Sequence, residues 1–341
     1  MEASVFERIR GSLLEKRDNL TDWLSRTPPA ERQLRLGPAD EGAVHAHLEV
    51  IDTSLEKIDG QTLGMCQVCH DYVDTALLEM DYTACICLDH FSAEEKRRLE
   101  SELELSQSVQ RALLPQHIPE IPGMQVAAFS RPAQIIGGDY FDFLQFRDGT
   151  YGLAIADVAG HGVSASLLMA SLQTALRSLA PLSGMPTEVV ERVNRVFYHN
   201  IHLTTFVTLF LGRFDASTDS LTYCNAGHNP PLLLHGDTNG GGLSWLQPTG
   251  AAVGLLEGIS FGADKVPLRP GDVLILYTDG VTEATNLHGE EFGPQRLAEV
   301  AERGSGLPAG ELVRGLRNAL QAFTQGQPLA DDTTVVACRR M

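Results

Sequence analysis

The chain has no apolar run approaching the roughly 18 residues needed to cross a bilayer. Its opening residues, MEASVFERIRGSLLEKRDNL, carry charge from Glu2 onward where a signal peptide would place its apolar core. A cytoplasmic protein is expected. Basic residues are scarce: 26 Lys and Arg stand against 44 Asp and Glu, for a net charge of −18. Broad contact with nucleic acid or with an anionic membrane needs the opposite balance, so neither is expected as a direct partner. No Gly-x-Ser-x-Gly elbow occurs, and Cys224 in LTYCNAGHNP has no evident base beside it, which leaves covalent catalysis without a candidate nucleophile. There is no convincing internal repeat, and the one low-complexity patch, GDTNGGG at 236–242, reads as a hairpin loop.

What is present has two textures. Residues 1–60 read as two helices. Val5, Ile9, Leu13, Leu14 and Leu20 recur at near-helical spacing up to the TPPAER break, and Val44, Leu48, Ile51, Leu55 and Ile58 form a heptad-like stripe that Gly60 ends. A Pro-rich turn between them predicts an antiparallel hairpin. Four of the six cysteines then fall within 22 residues, while Cys224 and Cys338 sit alone in apolar segments as small core residues. In a cytoplasmic chain structural disulfides are rare. Cys66-x2-Cys69 and, after 17 intervening residues, Cys87-x2-His90 form two short-spaced pairs able to grip opposite sides of a tetrahedral Zn²⁺. With every position filled by protein, that ion would be structural. Cys85 is a spare thiol that could replace Cys87 or His90. Ser92 and Glu95 make a capping box for a helix that Pro115 stops. Its seam of Leu99, Leu103, Ser106, Gln110 and Leu113 suits a linker helix with a homodimer contact, and equally an amphipathic helix packed on its own domain.

From about residue 120 the chain turns to short β-like runs, MQVAAFS, YGLAIADV, FVTLFLGRF, LTYCNAG, PLLLH, DVLILYTDG and TTVVACRR, with helical stretches near 163–180, 186–200, 294–303 and 308–324. Strands, a helical pair, then more strands without strict alternation predict an antiparallel α+β domain. The domains accordingly read as 1–91, 92–115 and 116–341.

In GGDYFDF, residues 137–143, Asp139 follows two glycines, where a turn residue is the ordinary interpretation. The same arrangement, a carboxylate where an apolar run meets a turn, recurs three times. Asp157 ends a strand in LAIADVAGHG, with Gly160 and Gly162 flanking His161; Asp279 ends another in VLILYTDGVTEA, followed by Gly280; and Asp331 and Asp332 precede a third in LADDTTVVACRR. Four such segments suggest one shared site for hard divalent cations, which prefer oxygen ligands and retain water. Two such ions close together lower the pKa of a bridging water and neutralise charge on a phosphoryl group. Asp142, three residues along its strand from Asp139, should point away from that site.

Taken in order, LLPQHIPEIPGMQVAAFSRPAQIIGGDYFDF, ADVAGHGVSASLLMA, FVTLFLGRFD, YCNAGHNPPLLL, GDVLILYTDGVTEATN and DDTTVV resemble the RsbU/SpoIIE branch of the metal-dependent PPM-type serine/threonine phosphatases, across about 110–340. The resemblance implies an α/β/β/α sandwich of two antiparallel sheets flanked by helices, with two Mn²⁺ or Mg²⁺ at one end. It further implies that Asp157 bridges both ions with the Val158 main-chain oxygen on one, that Asp279 and Asp331 hold the second, and that Asp139 acts on the other side through a metal-bound water. Asp332 competes with Asp331, because spacing does not resolve an adjacent pair. Gly138, Gly160, His161, Gly162, Gly280, and His228 and Asn229 of AGHNP shape the site in this picture.

SLEKIDGQTLGMCQVCHDYVD, with the Cys/His spacing, is similar to the zinc-finger segment of the DksA/TraR family, in which a helical hairpin precedes the finger. That resemblance covers roughly residues 1–92. Members of that family act on RNA polymerase through acidic residues at the hairpin tip. Here TPPAERQLRLGPADEG carries Arg32 and Arg35 and lacks such a motif, which argues against polymerase contact. Together the resemblances imply a Mg²⁺/Mn²⁺-dependent phosphatase acting on phosphoserine or phosphothreonine. The implied substrate is a phosphorylated STAS-type anti-sigma-factor antagonist in a partner-switching pathway, with the zinc module as regulatory input. The rival is a non-catalytic adaptor that binds RNA polymerase or another protein through the zinc module. Loss of the aspartates would favour it, and all of them are present.

Overall fold

Arg10 meets Asp59 at 3.4 Å and Arg17 meets Asp52 at 4.0 Å, so helices α1 (Ala3–Arg26) and α2 (Glu41–Asp59) run antiparallel. Their apolar stripes bury Ile9, Leu13, Ile51, Leu55 and Ile58, and the same core takes in Leu63, Cys66, Val73 and Leu78 from the cysteine-rich segment. The structure, a computed structural model, describes residues 3–26, 41–75, 78, 82–160, 162–200, 206–236, 242–327 and 329–341; the TPPAER turn, Arg32, Arg35 and His161 lie outside them. The chain divides into two units, Met1–Glu102 and Leu103–Met341. Among the described residues no helix is long and apolar enough to cross a membrane.

Helix α3 (Ala93–Leu113) starts at the expected capping box: the Ser92 hydroxyl accepts the Glu95 N–H at 3.2 Å, and the Glu95 carboxylate accepts the Ser92 N–H at 2.9 Å. None of its residues is buried.

Among the described residues the second unit carries ten strands in two antiparallel sheets. One has the order β1 (Met124–Arg131), β10 (Thr333–Arg340), β9 (Val273–Tyr277), β6 (Leu232–His235), β7 (Gly242–Trp245). The other has the order β2 (Tyr140–Gln145), β3 (Tyr151–Val158), β4 (Val207–Asp215), β5 (Ser220–Ala226), β8 (Asp264–Pro267). Period-two alternation sorts side chains between layers. Phe141, Leu153, Ile155, Phe210, Leu274, Leu276 and Val336 fill the space between the sheets. Tyr140, Ala154, Ala156, Leu209 and Leu211 face helices α4 (Gly162–Leu179) and α5 (Pro186–Asn200), while Ile275, Val335 and Ala337 face α7 (Gly293–Arg303) and α8 (Ala309–Thr324). The result is a four-layer helix–sheet–sheet–helix sandwich, the antiparallel α+β domain predicted from the strand order in the form that the family resemblance implied.

Asp142 lies on the α4 side of β2. Its buried carboxylate takes Nε and Nη2 of Arg177 at 2.7 and 3.1 Å, the Tyr140 hydroxyl at 2.6 Å and the Phe143 N–H at 2.8 Å. It ties a helix to the sheet, and its acceptor capacity is used there.

Candidate active site

Strand ends from both sheets meet at one rim of the sandwich. Asp157 is the penultimate residue of β3 and pairs with Thr208, while Asp139 stands immediately before β2. From the other sheet come Asp279, separated from the end of β9 by one residue, and the Asp331–Asp332 pair ahead of β10. Asp279 is not a strand terminus as such. It opens a one-turn helix, α6 (Asp279–Thr282), that no pattern in the sequence announces.

The adjacent aspartates separate by what they touch. Asp332 Oδ1 accepts the Ala133 N–H at 2.7 Å, and its Oδ2 accepts the N–H groups of Gly138 at 2.6 Å and Asp139 at 3.4 Å. Its carboxylate therefore pins the 133–139 loop. Asp331 is exposed, and its Oδ1 accepts the Asp332 N–H at 2.8 Å. Its charge acts on Asp157 and Asp279. The same loop is held from behind by α3: Gln110 pairs both amide atoms with the Gly137 backbone, and Gln107 donates to the Ile135 carbonyl at 2.9 Å. The polar middle of the helical seam thus serves this loop.

Close approach explains the glycines. A Cβ on Gly137 would overlap the Asp332 carboxylate, and one on Gly280 would overlap the Asp332 carbonyl. A Cβ on Gly138 would come within 2.9 Å of the Val158 carbonyl oxygen, so glycine there keeps that oxygen uncovered. Gly160 and Gly162 both take positive φ, at 103° and 72°, in the turn after β3.

Electrostatically the rim is a concentration of negative charge. Burial and then the charge of Asp279 and Asp331 push the Asp157 carboxyl up to about 7. Asp139 is raised well above the carboxylate range by burial and by Asp157, and Asp279 is raised by burial and by Asp331. Glu283, four residues after Asp279, is also raised, by burial and by Asp279. Glu283 was not among the residues expected at the site, although an acidic pair at i, i+4 is the signal that places two carboxyls together on a helical turn.

The Stage II sporulation protein E (SpoIIE) family model matches residues 147–341, more than half of the chain. The chain belongs to the SpoIIE family. It is 29% identical over 245 residues to the phosphoserine phosphatase RsbU of Bacillus subtilis (strain 168), a match covering 72% of each chain. Its fold is similar to the SiaA-PP2C domain of Pseudomonas aeruginosa, with a TM-score of 0.63 at 23% identity over 73% of this chain and 99% of that one. It is also similar to the PP2C phosphatase domain, with a regulatory fragment, of SpoIIE from Bacillus subtilis, with a TM-score of 0.54 at 20% identity over 63% of each chain. The chain is a protein serine/threonine phosphatase of the PPM type.

A SpoIIE-family fold implies divalent cations, and the donor set here fits them. Asp139 Oδ1 is buried without a hydrogen-bond partner, an orphaned acceptor among carboxylates that oppose one another's ionisation. Hard cations are the ligands that such oxygens suit.

His228 has a different part. Its Nε2 donates to the Tyr277 carbonyl at 3.1 Å, and its Nδ1 lies 2.8 Å from the Thr208 hydroxyl, which therefore donates to it. The ring ties β9 to β4 behind Asp279 and Asp157. Burial lowers its pKa to about 4, so it stays neutral at ordinary pH. Asn229, which follows it, is half-buried.

In the first unit Cys66, Cys69, Cys87 and His90 bring one ligand atom each to within 4.8 Å of one another. Cys85 is not in this group; its carbonyl accepts the Gln67 N–H at 2.8 Å. Burial works against ionisation of the Cys66 thiol, yet N–H groups of the surrounding knuckle, including those of Val68 and Cys87 at 3.4 Å, bring it down to about 5. Donors aimed at a sulfur are what a metal-bound thiolate uses.

Proposed function

We propose that this phosphatase is Mg²⁺- or Mn²⁺-dependent and removes phosphate from phosphoserine or phosphothreonine on a STAS-type anti-sigma-factor antagonist. The observation that carries the proposal is the buried, partnerless Asp139 Oδ1 facing a rim of mutually repelling carboxylates. Asp157, Asp279 and Asp331 would hold the ions together with the Val158 carbonyl, and Asp139 would complete the shell from the β2 side. Asp332 would not be a ligand: its oxygens hold the Ala133–Asp139 loop in place. When bound, the cations neutralise phosphoryl charge and make water a stronger nucleophile at neutral pH. Without them the bare rim would repel a phosphate dianion. The carboxylates then have to fix where charge is placed, and they do so from strand ends anchored in two sheets.

Residues 1–91 would form a DksA/TraR-like module whose Cys66, Cys69, Cys87 and His90 hold one structural Zn²⁺. Residues 92–115 would link it to the phosphatase domain, 116–341, and the unburied helix α3 is the candidate homodimer contact. The test is direct. Purified full-length protein with Mn²⁺ should hydrolyse p-nitrophenyl phosphate and a phosphorylated STAS-domain protein, fall to background with excess chelator, and recover when Mn²⁺ is restored. Inactivity on both substrates with metal present would defeat the proposal.

A further inference from the structure

The geometry points to Thr278 as a positioning residue, whose hydroxyl aims Asp139 so that Oδ1 is the oxygen left for the metal. This rests on the divalent-metal proposal above. Thr278 occupies the N-cap position of α6 with extended backbone, φ −91° and ψ 162°, where threonine ordinarily bonds its hydroxyl to the helix. It makes no such cap bond. The hydroxyl instead lies 2.8 Å from Asp139 Oδ2, across from the sheet that holds Thr278 to the one that holds Asp139.

The direction of that bond follows from the other groups. The Thr334 N–H can only donate, and it does so to Thr278 Oγ1 at 3.0 Å. The single hydroxyl proton is then free to go to Asp139 Oδ2, the alternative acceptor, the Asp332 carbonyl, being farther away at 3.4 Å. The Thr278 backbone is fixed in turn, because its N–H donates to the Thr334 carbonyl at 3.1 Å where β9 meets β10. Thr278 is fully buried, so no water competes for either bond. One carboxylate oxygen of Asp139 is thereby occupied and the other is left buried and unpartnered. Because Asp279 is the next residue, the Thr278 hydroxyl couples ligands drawn from the two sheets, alongside the Thr334 side chain, which also acts on the Asp139 carboxylate.

Titration of the metal-free, full-length chain with Mn²⁺ in a calorimeter tests this without reference to turnover. Thr278→Val keeps the branched shape and removes the donor; it should bind Mn²⁺ roughly 10- to 100-fold more weakly than wild type. Thr278→Ser keeps the hydroxyl and should stay within about 3-fold. In an Asp139→Ala background the cost of Thr278→Val should largely vanish, since the partner is gone. Wild-type affinity in Thr278→Val, a Ser variant as weak as Val, or an undiminished cost in Asp139→Ala would each overturn the assignment. If Thr278→Val does not fold, Thr278→Ala takes its place with the same expectations. A wild-type chain that takes up no Mn²⁺ would overturn the metal proposal itself.

Discussion

Asp157→Asn is expected to abolish phosphatase activity and, with divalent cations stripped away, to make the protein more stable than wild type. Both effects have one cause. The Asp157 carboxyl is pushed up to about 7 by burial and then by Asp279 and Asp331. A carboxyl whose folded pKa exceeds its unfolded value, near 3.9, contributes stability that is complete below the unfolded value and is lost as pH rises through the folded one. Metal-free wild type should therefore lose on the order of 1–4 kcal/mol between about pH 5 and pH 8, worth about 2–4 °C per kcal/mol in a unit of this size. The Asn variant has no charge to bury there and should show a flatter profile. Mn²⁺ should remove the slope from wild type. Activity should fall beyond the roughly 10- to 100-fold that outer-shell partners cost, because a proposed ligand would be lost. Initial rates with Mn²⁺, paired with melting curves at both pH values with and without chelator, check the two halves separately. A variant retaining a large share of activity would remove Asp157 from the site. One that melts below wild type in the metal-free form at about pH 8 would show that Asp157 carries no destabilising charge.

The rim of carboxylates was legible in the sequence because strand ends announce themselves locally. An apolar run followed by Asp-Gly or preceded by Gly-Asp is a pattern a few residues long, and Asp139, Asp157, Asp279 and Asp331 each display one. The division of labour between Asp331 and Asp332 was not legible. It depends on N–H donors at Ala133, Gly138 and Asp139, which lie 193 to 199 residues away in the chain. The same limit applied to His228, whose partners Thr208 and Tyr277 come from different sheets, and to Asp142, whose partner Arg177 is on a later helix.

Local signal also ran out for short elements. The edge strands β7 and β8 have four residues each, mostly exposed, and so lack the apolar alternation that marks a half-buried strand. The one-turn helix α6 is shorter than any helical period can reveal, yet it places Asp279 at its first position and Glu283 just past its last. Gln110 on the helical seam left both readings of that helix open, and only the folded loop at Gly137 supplies the two backbone groups it pairs with.

Removal of zinc should unfold the first unit. Cys66 belongs to the same core as Ile9, Leu13, Ile51 and Leu55, so the ion would close the cysteine-rich segment onto the α1–α2 hairpin. Without it, three thiols and an imidazole converge within 4.8 Å, and the segment would depend on its few core side chains and short backbone bonds such as Gln67 N–H to the Cys85 carbonyl. Burial, then its contacts with Cys66 and Cys69, pushes the Cys87 thiol up to about 12, so in the metal-free cluster it keeps its proton, which zinc would have to displace. Structural Zn²⁺ contributes on the order of 10–16 kcal/mol in small modules near pH 7, against a net stability of roughly 5–15 kcal/mol for a whole domain. Metal analysis of the purified chain should return about one zinc per molecule. Cys66→Ser combined with Cys69→Ser should lose that zinc together with the amide-exchange protection of residues 44–73, whereas Cys85→Ser should keep both. Zinc lost on Cys85→Ser would put the spare thiol among the ligands in place of Cys87 or His90. Full exchange protection of the double variant would show that the hairpin core alone holds the unit together.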